Sequence, residues 1–225
     1  MAIAVIDYGS GNLRSAAKAL ERAAAERGAA QEIIVTADAE VVRRADRLVL
    51  PGVGAFGDCS QALGAIPGLR EVLDQRVKQD GVPFLGICVG MQVMAGVGHE
   101  HGDFLGLDWI HGAVVPLAPA DPDLVVPQMG WNTLAVEEEH AVLDGLAGQD
   151  VYFAHSYVMV PADPAEVLAT VDYGGAQTAA ETRFARRPGG ERRTAVPRGL
   201  RERSRDPADR GRSAPPGGHR CRHPG

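Results

Sequence analysis

Val82-Pro83-Phe84-Leu85-Gly86-Ile87-Cys88-Val89-Gly90-Met91-Gln92 decides how the chain is read: an apolar run over 82–87 meets a cysteine with glycines two residues before and after it. Val82–Ile87 suits a buried strand, and Val89–Ala95 carries helical spacing. A cysteine at that junction has the geometry of a nucleophile elbow. The glycines permit a tight, strained turn, the side chain projects above the C-terminal edge of the sheet, and the helix N-terminus favours the thiolate. A lone cysteine is more commonly a buried structural residue. The G-x-C-x-G spacing after a strand favours Cys88 as a nucleophile instead.

The same alternation extends upstream. Ala2–Ile6 is a short apolar run ending at Asp7-Tyr8-Gly9-Ser10-Gly11-Asn12, and Leu13–Arg27 is Ala-rich with helical spacing. Glu32–Val35 reads as a strand, Asp38–Arg44 as a helix with Asp38 as N-cap, Arg47–Leu50 as a third strand and Leu69–Gln79 as a helix. Repeated strand–helix units with hydrophobic strands imply an α/β fold: a mostly parallel sheet flanked by helices, flavodoxin-like in its first half. Beyond residue 105, Ala113–Leu117, Leu124–Pro127, Val151–His155 and Val167–Val171 are strand-like pieces separated by Pro, Asp and Gly. They predict additional mixed or antiparallel strands. The expected organisation is one domain over 1–180 followed by a tail over 181–225.

The net charge of −6 divides unevenly. Residues 181–225 hold thirteen Arg, no Lys and five acids, a balance of +8, which leaves −14 on residues 1–180. An acidic body argues against nucleic acid as the main partner, and the basic tail lacks aromatic interleaving. Phe184, Val196 and Leu200 are the only large apolar residues from 182 onward, too few to offset chain entropy, so disorder is expected there. No segment approaches the roughly 18 apolar residues of a membrane span, and the sequence opens on strand-like AIAVID with no charged leader. A cytoplasmic protein with no membrane association is expected. Cys59, Cys88 and Cys221 are too scattered for a disulfide framework or zinc cluster, and no histidine pair has metal-site spacing, so no metal is expected.

Pro51-Gly52-Val53-Gly54-Ala55-Phe56 follows another strand. Two glycines separated by one residue let a backbone amide turn toward a neighbouring site, as an oxyanion hole requires. A plain strand-to-helix loop is the alternative, and the position at the same sheet edge as Cys88 favours the first. The turn at 7–12 lacks both the G-x-G-x-x-G pattern and a Walker lysine, which argues against nucleotide binding.

DYGSGNLRS at 7–15, PGVGAFGD at 51–58, GICVGMQ at 86–92, VPQMGWN at 126–132 and YFAHSY at 152–157 follow one another in a characteristic order. In that order and spacing the chain resembles the glutaminase subunit of imidazole glycerol phosphate synthase, a class I glutamine amidotransferase. The resemblance implies hydrolysis of glutamine to glutamate and ammonia through a γ-glutamyl thioester, with no cofactor. It also implies a heterodimer in which a cyclase subunit uses the ammonia for histidine biosynthesis. By it, Cys88 attacks the glutamine amide, while the Gly52-Val53-Gly54 loop, with the Val53 amide after a backbone flip, and the amide of Val89 stabilise the oxyanion. Gln92, Glu100 and the Ser156-Tyr157 backbone would hold glutamine, His155 would lie near the site, and Asn12, Met129 and Trp131 would face the cyclase. On the residues alone, Glu100 between His99 and His101 equally suits a solvated acid, and Trp131 equally suits core packing. The glutaminase of another pathway, such as pyridoxal phosphate synthesis, is the alternative; DYGSGN, PGVGAF and MGWN argue against it.

A cysteine amidotransferase needs a histidine oriented by a carboxylate as general base. The family resembled carries both in a late Gln-Phe-His-Pro-Glu-Lys-Ser motif followed by a closing helix, and neither occurs here. After Val171-Asp172-Tyr173-Gly174-Gly175 the sequence departs into ETRFARRPGGERRTAVPRGL, and the later His219 and His223 sit among Arg, Pro and Gly. Three explanations compete: a frameshift in GC-rich coding sequence, a diverged tail, and a pseudoenzyme that keeps partner binding. The codons of Ala195-Val196-Pro197 read one nucleotide later are compatible with Gln-Phe-His, although the same shift does not give Pro-Glu-Lys next. Impaired activity is expected on any of the three.

Overall fold

Strands β1 (Ala2–Ile6), β2 (Glu32–Thr36), β3 (Arg47–Gly52) and β4 (Phe84–Cys88) form a parallel sheet in the order β2-β1-β3-β4. The computed structural model describes residues 1–181. The remainder of the tail, and the disorder expected of it, lie outside the described residues. The inner strands β1 and β3 are largely apolar because the sheet has a core on each face. Along β1, Ala4 and Ile6 enter the main core, while Ile3 and Val5 join Val49 in a second cluster. Helix α1 (Leu13–Glu26) packs its Leu13 and Leu20 on that second cluster. Asn12 Oδ1 accepts the Ser15 N–H at 3.3 Å to start α1, and Gly28 at φ 62° follows its end.

Asp38 begins α2 (Ala39–Arg44) as expected, its carboxylate accepting the Glu40 N–H at 2.8 Å. Helix α3 (Phe56–Ala65) has no counterpart in the sequence reading, which stopped at the Pro51–Phe56 loop. Its N-cap, Ala55, has no side chain with which to announce a helix start. Helix α4 (Leu69–Asp74) widens into a π-helical turn over Gln75–Gln79, together filling the helix expected at Leu69–Gln79. Asp74 accepts the indole N–H of Trp109 at 2.7 Å, and the buried indole meets Phe84 edge-on at 4.8 Å.

The helix expected over Val89–Ala95 is a single turn, α5 (Val89–Gln92), after which the chain enters β5 (Ala95–Gly98). Gly96 and Gly98 disfavour helix continuation, and a side chain at Gly98 would collide with the ring of Phe56. β5 belongs to a mixed sheet, β10-β7-β5-β6, with β6 (Phe104–Leu105), β7 (Ile110–Pro116) and β10 (Tyr157–Pro161). A third, antiparallel sheet has the order β12-β11-β8-β9, formed by β8 (Gln128–Val136), β9 (Asp150–His155), β11 (Val167–Asp172) and β12 (Ala176–Glu181). Leu134, Leu143, Leu168 and Ala169 form a small core on it. The strand expected at Leu124–Pro127 is instead a lead-in to β8, which begins after Pro127, a residue with no N–H for a ladder. β10 was not anticipated; only Ser156 separates it from β9, and there the chain passes from one sheet to another. Among the described residues no helix is long and apolar enough to cross a membrane, and no group of three His, Cys, Asp or Glu could hold a metal ion.

Candidate active site

Cys88 ends β4 at φ 57° and ψ −122°, a backbone conformation that a non-glycine residue rarely adopts, and its thiol is exposed. The flanking glycines are required sterically. A Cβ at Gly86 would lie 2.6 Å from the Gly90 carbonyl oxygen, and one at Gly90 would overlap the carbonyl oxygen of Leu50. The elbow is thus pressed directly onto β3. With α5 only one turn long, its dipole is small, and position and exposure are what present the thiol. Val89, the first residue of α5, has an N–H for which the helix offers no acceptor.

In the β3–β4 register Gly52 is paired with Cys88, so the loop leaving β3 lies beside the elbow. A Cβ at Gly52 would overlap the Gly90 backbone nitrogen and sit 2.9 Å from the Tyr8 hydroxyl, so this loop too is packed backbone to backbone. Gly54 holds φ 93° with open space around it, which makes it a conformational rather than a packing glycine. Val53, between them, is 53% exposed. Its N–H donates to Ser10 Oγ at 3.3 Å, the Ser10 hydroxyl donates to its carbonyl oxygen at 2.7 Å, and the Cys59 thiol donates to the same oxygen at 3.3 Å. Val53, Asn12 and Cys88 share a cavity of about 210 Å³.

On its other side Cys88 opens into a half-open cavity of about 500 Å³, with Gln92, His140 and His155 among the polar groups and Leu85, Met91 and Phe153 on the apolar wall. The Gln92 amide donates to the Tyr157 carbonyl at 3.1 Å, which joins α5 to the Ser156-Tyr157 segment. Both ring nitrogens of His155 are engaged, Nδ1 with the Tyr157 carbonyl and Nε2 with Gln128 Oε1, each at 2.9 Å. Gln128 is fully buried; its amide donates to Asn132 Oδ1 at 2.8 Å, and the Asn132 amide donates to the Asp172 carbonyl. An exposed thiol on a strained elbow, a glycine loop paired in register with it and a lined cavity are the parts of an acyl-transfer site.

A family model, Glutamine amidotransferase class-I, matches residues 4–185. The chain belongs to the class I glutamine amidotransferases. Imidazole glycerol phosphate synthase subunit HisH of Rhodospirillum rubrum is 56% identical over 181 residues, which span 80% of this chain and 85% of that protein. The protein of the same description from Agrobacterium fabrum is 51% identical over 183 residues, with the same coverage. These matches place the chain in the HisH family. A solved structure described as a glutamine amidotransferase superposes with a TM-score of 0.54, covering 75% of this chain and 79% of that one, at 20% identity; it supports the fold alone.

In this amidotransferase the remaining expected site residues are spread out. Glu100 lines neither cavity at Cys88; its Oε2 accepts the Phe56 N–H at 2.7 Å and so supplies the cap that Ala55 lacks. Asn12 is exposed and caps α1. Met129 and Trp131 are 65% and 70% exposed on β8, with Trp131 edge-on to Tyr152 at 5.5 Å, so Trp131 is a surface residue and not core. Four residues at the site escaped the sequence reading: Ser10, Cys59, Gln128 and His140. Ser10 and Gln128 lay inside motifs already singled out, DYGSGNLRS and VPQMGWN. The other two, Cys59 and His140, reach the site only through long-range packing.

Proposed function

We propose that the chain is the glutaminase subunit of an imidazole glycerol phosphate synthase, hydrolysing glutamine to glutamate and ammonia for a cyclase subunit in histidine biosynthesis. One observation carries the reading: an exposed Cys88 held at φ 57° with Gly52 of the glycine loop paired beside it. The HisH relatives at 56% and 51% identity support the pathway. In the proposed reaction Cys88 Sγ adds to the side-chain carbonyl carbon of glutamine, and the Val89 amide, with the Val53 amide after a backbone flip that releases it from Ser10 Oγ, faces the oxygen that becomes negative. Ammonia leaves with a transferred proton, a γ-glutamyl thioester remains, and water cleaves it to glutamate and the free thiol. Gln92 and the Ser156-Tyr157 backbone hold the substrate, Glu100 is left to cap α3 rather than to hold glutamine, and Asn12, Met129 and Trp131 face the cyclase. The reaction needs no cofactor, and the setting proposed is the cytoplasm.

The proton transfers are the weak step. His155 has both ring nitrogens engaged, and His140 Nδ1 accepts the Val142 N–H at 3.2 Å. This favours a second reading: the chain docks on a cyclase but turns over poorly, because the late His-Pro-Glu motif is absent from its sequence. Ammonia release separates the two. It is measured with purified cyclase for the unmodified chain, for Cys88→Ala, and for a version whose residues from 181 onward are replaced by a family sequence containing His-Pro-Glu. The repaired version turns over, Cys88→Ala does not, and the unmodified chain is slower than the repaired one by about 10²-fold or more. Equal rates for the unmodified and repaired chains overturn the impairment. No ammonia from the repaired chain overturns the glutaminase assignment.

A further inference from the structure

We propose that the outer edge of β4 is a strand-addition site that takes an uncharged extended segment, apolar at alternate positions, from another polypeptide. β4 is the last strand of the parallel sheet, paired with β3 on one flank, and among the described residues no strand or turn is hydrogen-bonded to the other. Strands of a parallel sheet are normally covered on both faces. Here Leu85 and Ile87 share one face of β4 and are 39% and 40% exposed. Leu85 is paired in register with Val49 of the second core cluster, so that cluster runs out at β4 with its last side chains uncovered. Five residues of unpaired edge with uncovered apolar side chains are a template for one more strand.

The cavity along this edge selects the occupant. Its volume is about 500 Å³, and the third sheet contributes Phe153, Leu168 and Ala179 to its wall. β12, itself an outermost strand, reaches the same cavity with Thr178, Ala179 and Ala180, so the added segment meets two outermost strands at once. A strand placed at the usual spacing of about 4.8 Å from β4 fits there. A second copy of the chain would have to bring a whole sheet into the same space. No Asp, Glu, Lys or Arg lines the cavity, so a charged segment would lose water there without gaining a partner. The chain's own continuation is therefore a poor match: residues 181–225 hold thirteen Arg, and from 182 onward Phe184, Val196 and Leu200 are the only large apolar residues, with no alternating run.

The probe is the peptide Ser-Val-Thr-Val-Thr-Val-Ser, acetylated and amidated, titrated into the full chain and followed by calorimetry and by amide hydrogen exchange. The peptide binds, and exchange across residues 84–88 slows. Proline in place of the central valine removes a ladder N–H, and lysine in place of both threonines adds charge; each weakens binding by about tenfold or more. Leu85→Asp, which puts a charge on the uncovered face, does the same. Thermal melts report folding of that variant, and should it fail to fold, the proline and lysine peptides on the unmodified chain decide alone. No binding up to about 1 mM peptide, or binding that leaves exchange at 84–88 unchanged, overturns the proposal. So does slow exchange at 84–88 before any peptide is added: sedimentation as a dimer then names a second copy as the occupant, and sedimentation as a monomer names the chain itself.

Discussion

The carboxylate of Glu100 accepts the backbone N–H of Phe56 across forty-four residues, and α3 begins there because of it. Removing the acceptor leaves a part-buried donor unmet at a helix start. Glu100→Ala therefore lowers unfolding stability by about 1–2 kcal/mol, whereas Glu100→Gln, which keeps an acceptor oxygen, loses less than half of that. Urea denaturation midpoints decide it, and equal losses would show that charge rather than capping is at work.

The strain at Cys88 makes a second prediction. A backbone at φ 57° and ψ −122° suits glycine, and such positions hold about 1–3 kcal/mol of strain in other residues. Cys88→Gly is expected to be more stable than Cys88→Ala by about 1 kcal/mol, although neither has a nucleophile. Denaturant curves that rank Ala above Gly would mean that the elbow is not strained as described.

Gly90 faces the Leu50 carbonyl with no room for a methyl group. Gly90→Ala forces β3 and the elbow apart, at a cost of about 3 kcal/mol or more, and the expected outcome is insoluble or partly unfolded protein. A soluble Gly90→Ala with an unchanged midpoint would refute the close packing.

Tyr8 gives a pH signature. Burial first, and the neighbouring Cys59 next, push its hydroxyl pKa above the ordinary 10.0. The unfolded chain therefore loses this proton before the folded chain does. Stability from this group is complete below pH 10 and falls as pH rises through the window between the unfolded and folded values. Tyr8→Phe removes that alkaline slope. Because the hydroxyl has no hydrogen-bond partner, the same change leaves stability at pH 7 within about 1 kcal/mol of the parent or raises it. Melting temperatures at pH 7 and pH 11 test both halves.

Trp131 is exposed and rests edge-on against Tyr152, so its loss should spare the fold. Trp131→Ala is expected to change unfolding stability by less than about 1 kcal/mol and to weaken binding to a purified cyclase by about 2 kcal/mol, a roughly 30-fold change in Kd. Titration calorimetry showing unaltered affinity would move the docking face elsewhere.

The parallel sheet was legible because short apolar runs alternate with helical segments along the chain; Cys88 was legible because an elbow needs its glycines adjacent in sequence. What remained hidden was non-local. The cap of α3 comes from Glu100, so the sequence around Ala55 carries no start signal. β5 looked like the end of a helix because Val89–Ala95 has the right spacing, and only pairing with β7 shows otherwise. β8 was displaced from its expected place because Leu124–Pro127 is apolar enough to imitate a strand. The grip of Ser10 and Cys59 on Val53 joins three segments that no local pattern connects.

β4 is hydrogen-bonded to β3 along one flank, and among the described residues no strand lies on the other. Cys88 therefore sits at the tip of a strand supported by β3 on one flank and open to the large cavity on the other, where Leu85 and Ile87 are 39% and 40% exposed. With ladder hydrogen bonds on one side only, displacement of the Cys88 sulfur is expected to be smallest toward Gly52 and largest away from it. The attack distance thus depends on the rigidity of that outer flank as much as on the turn that carries the thiol.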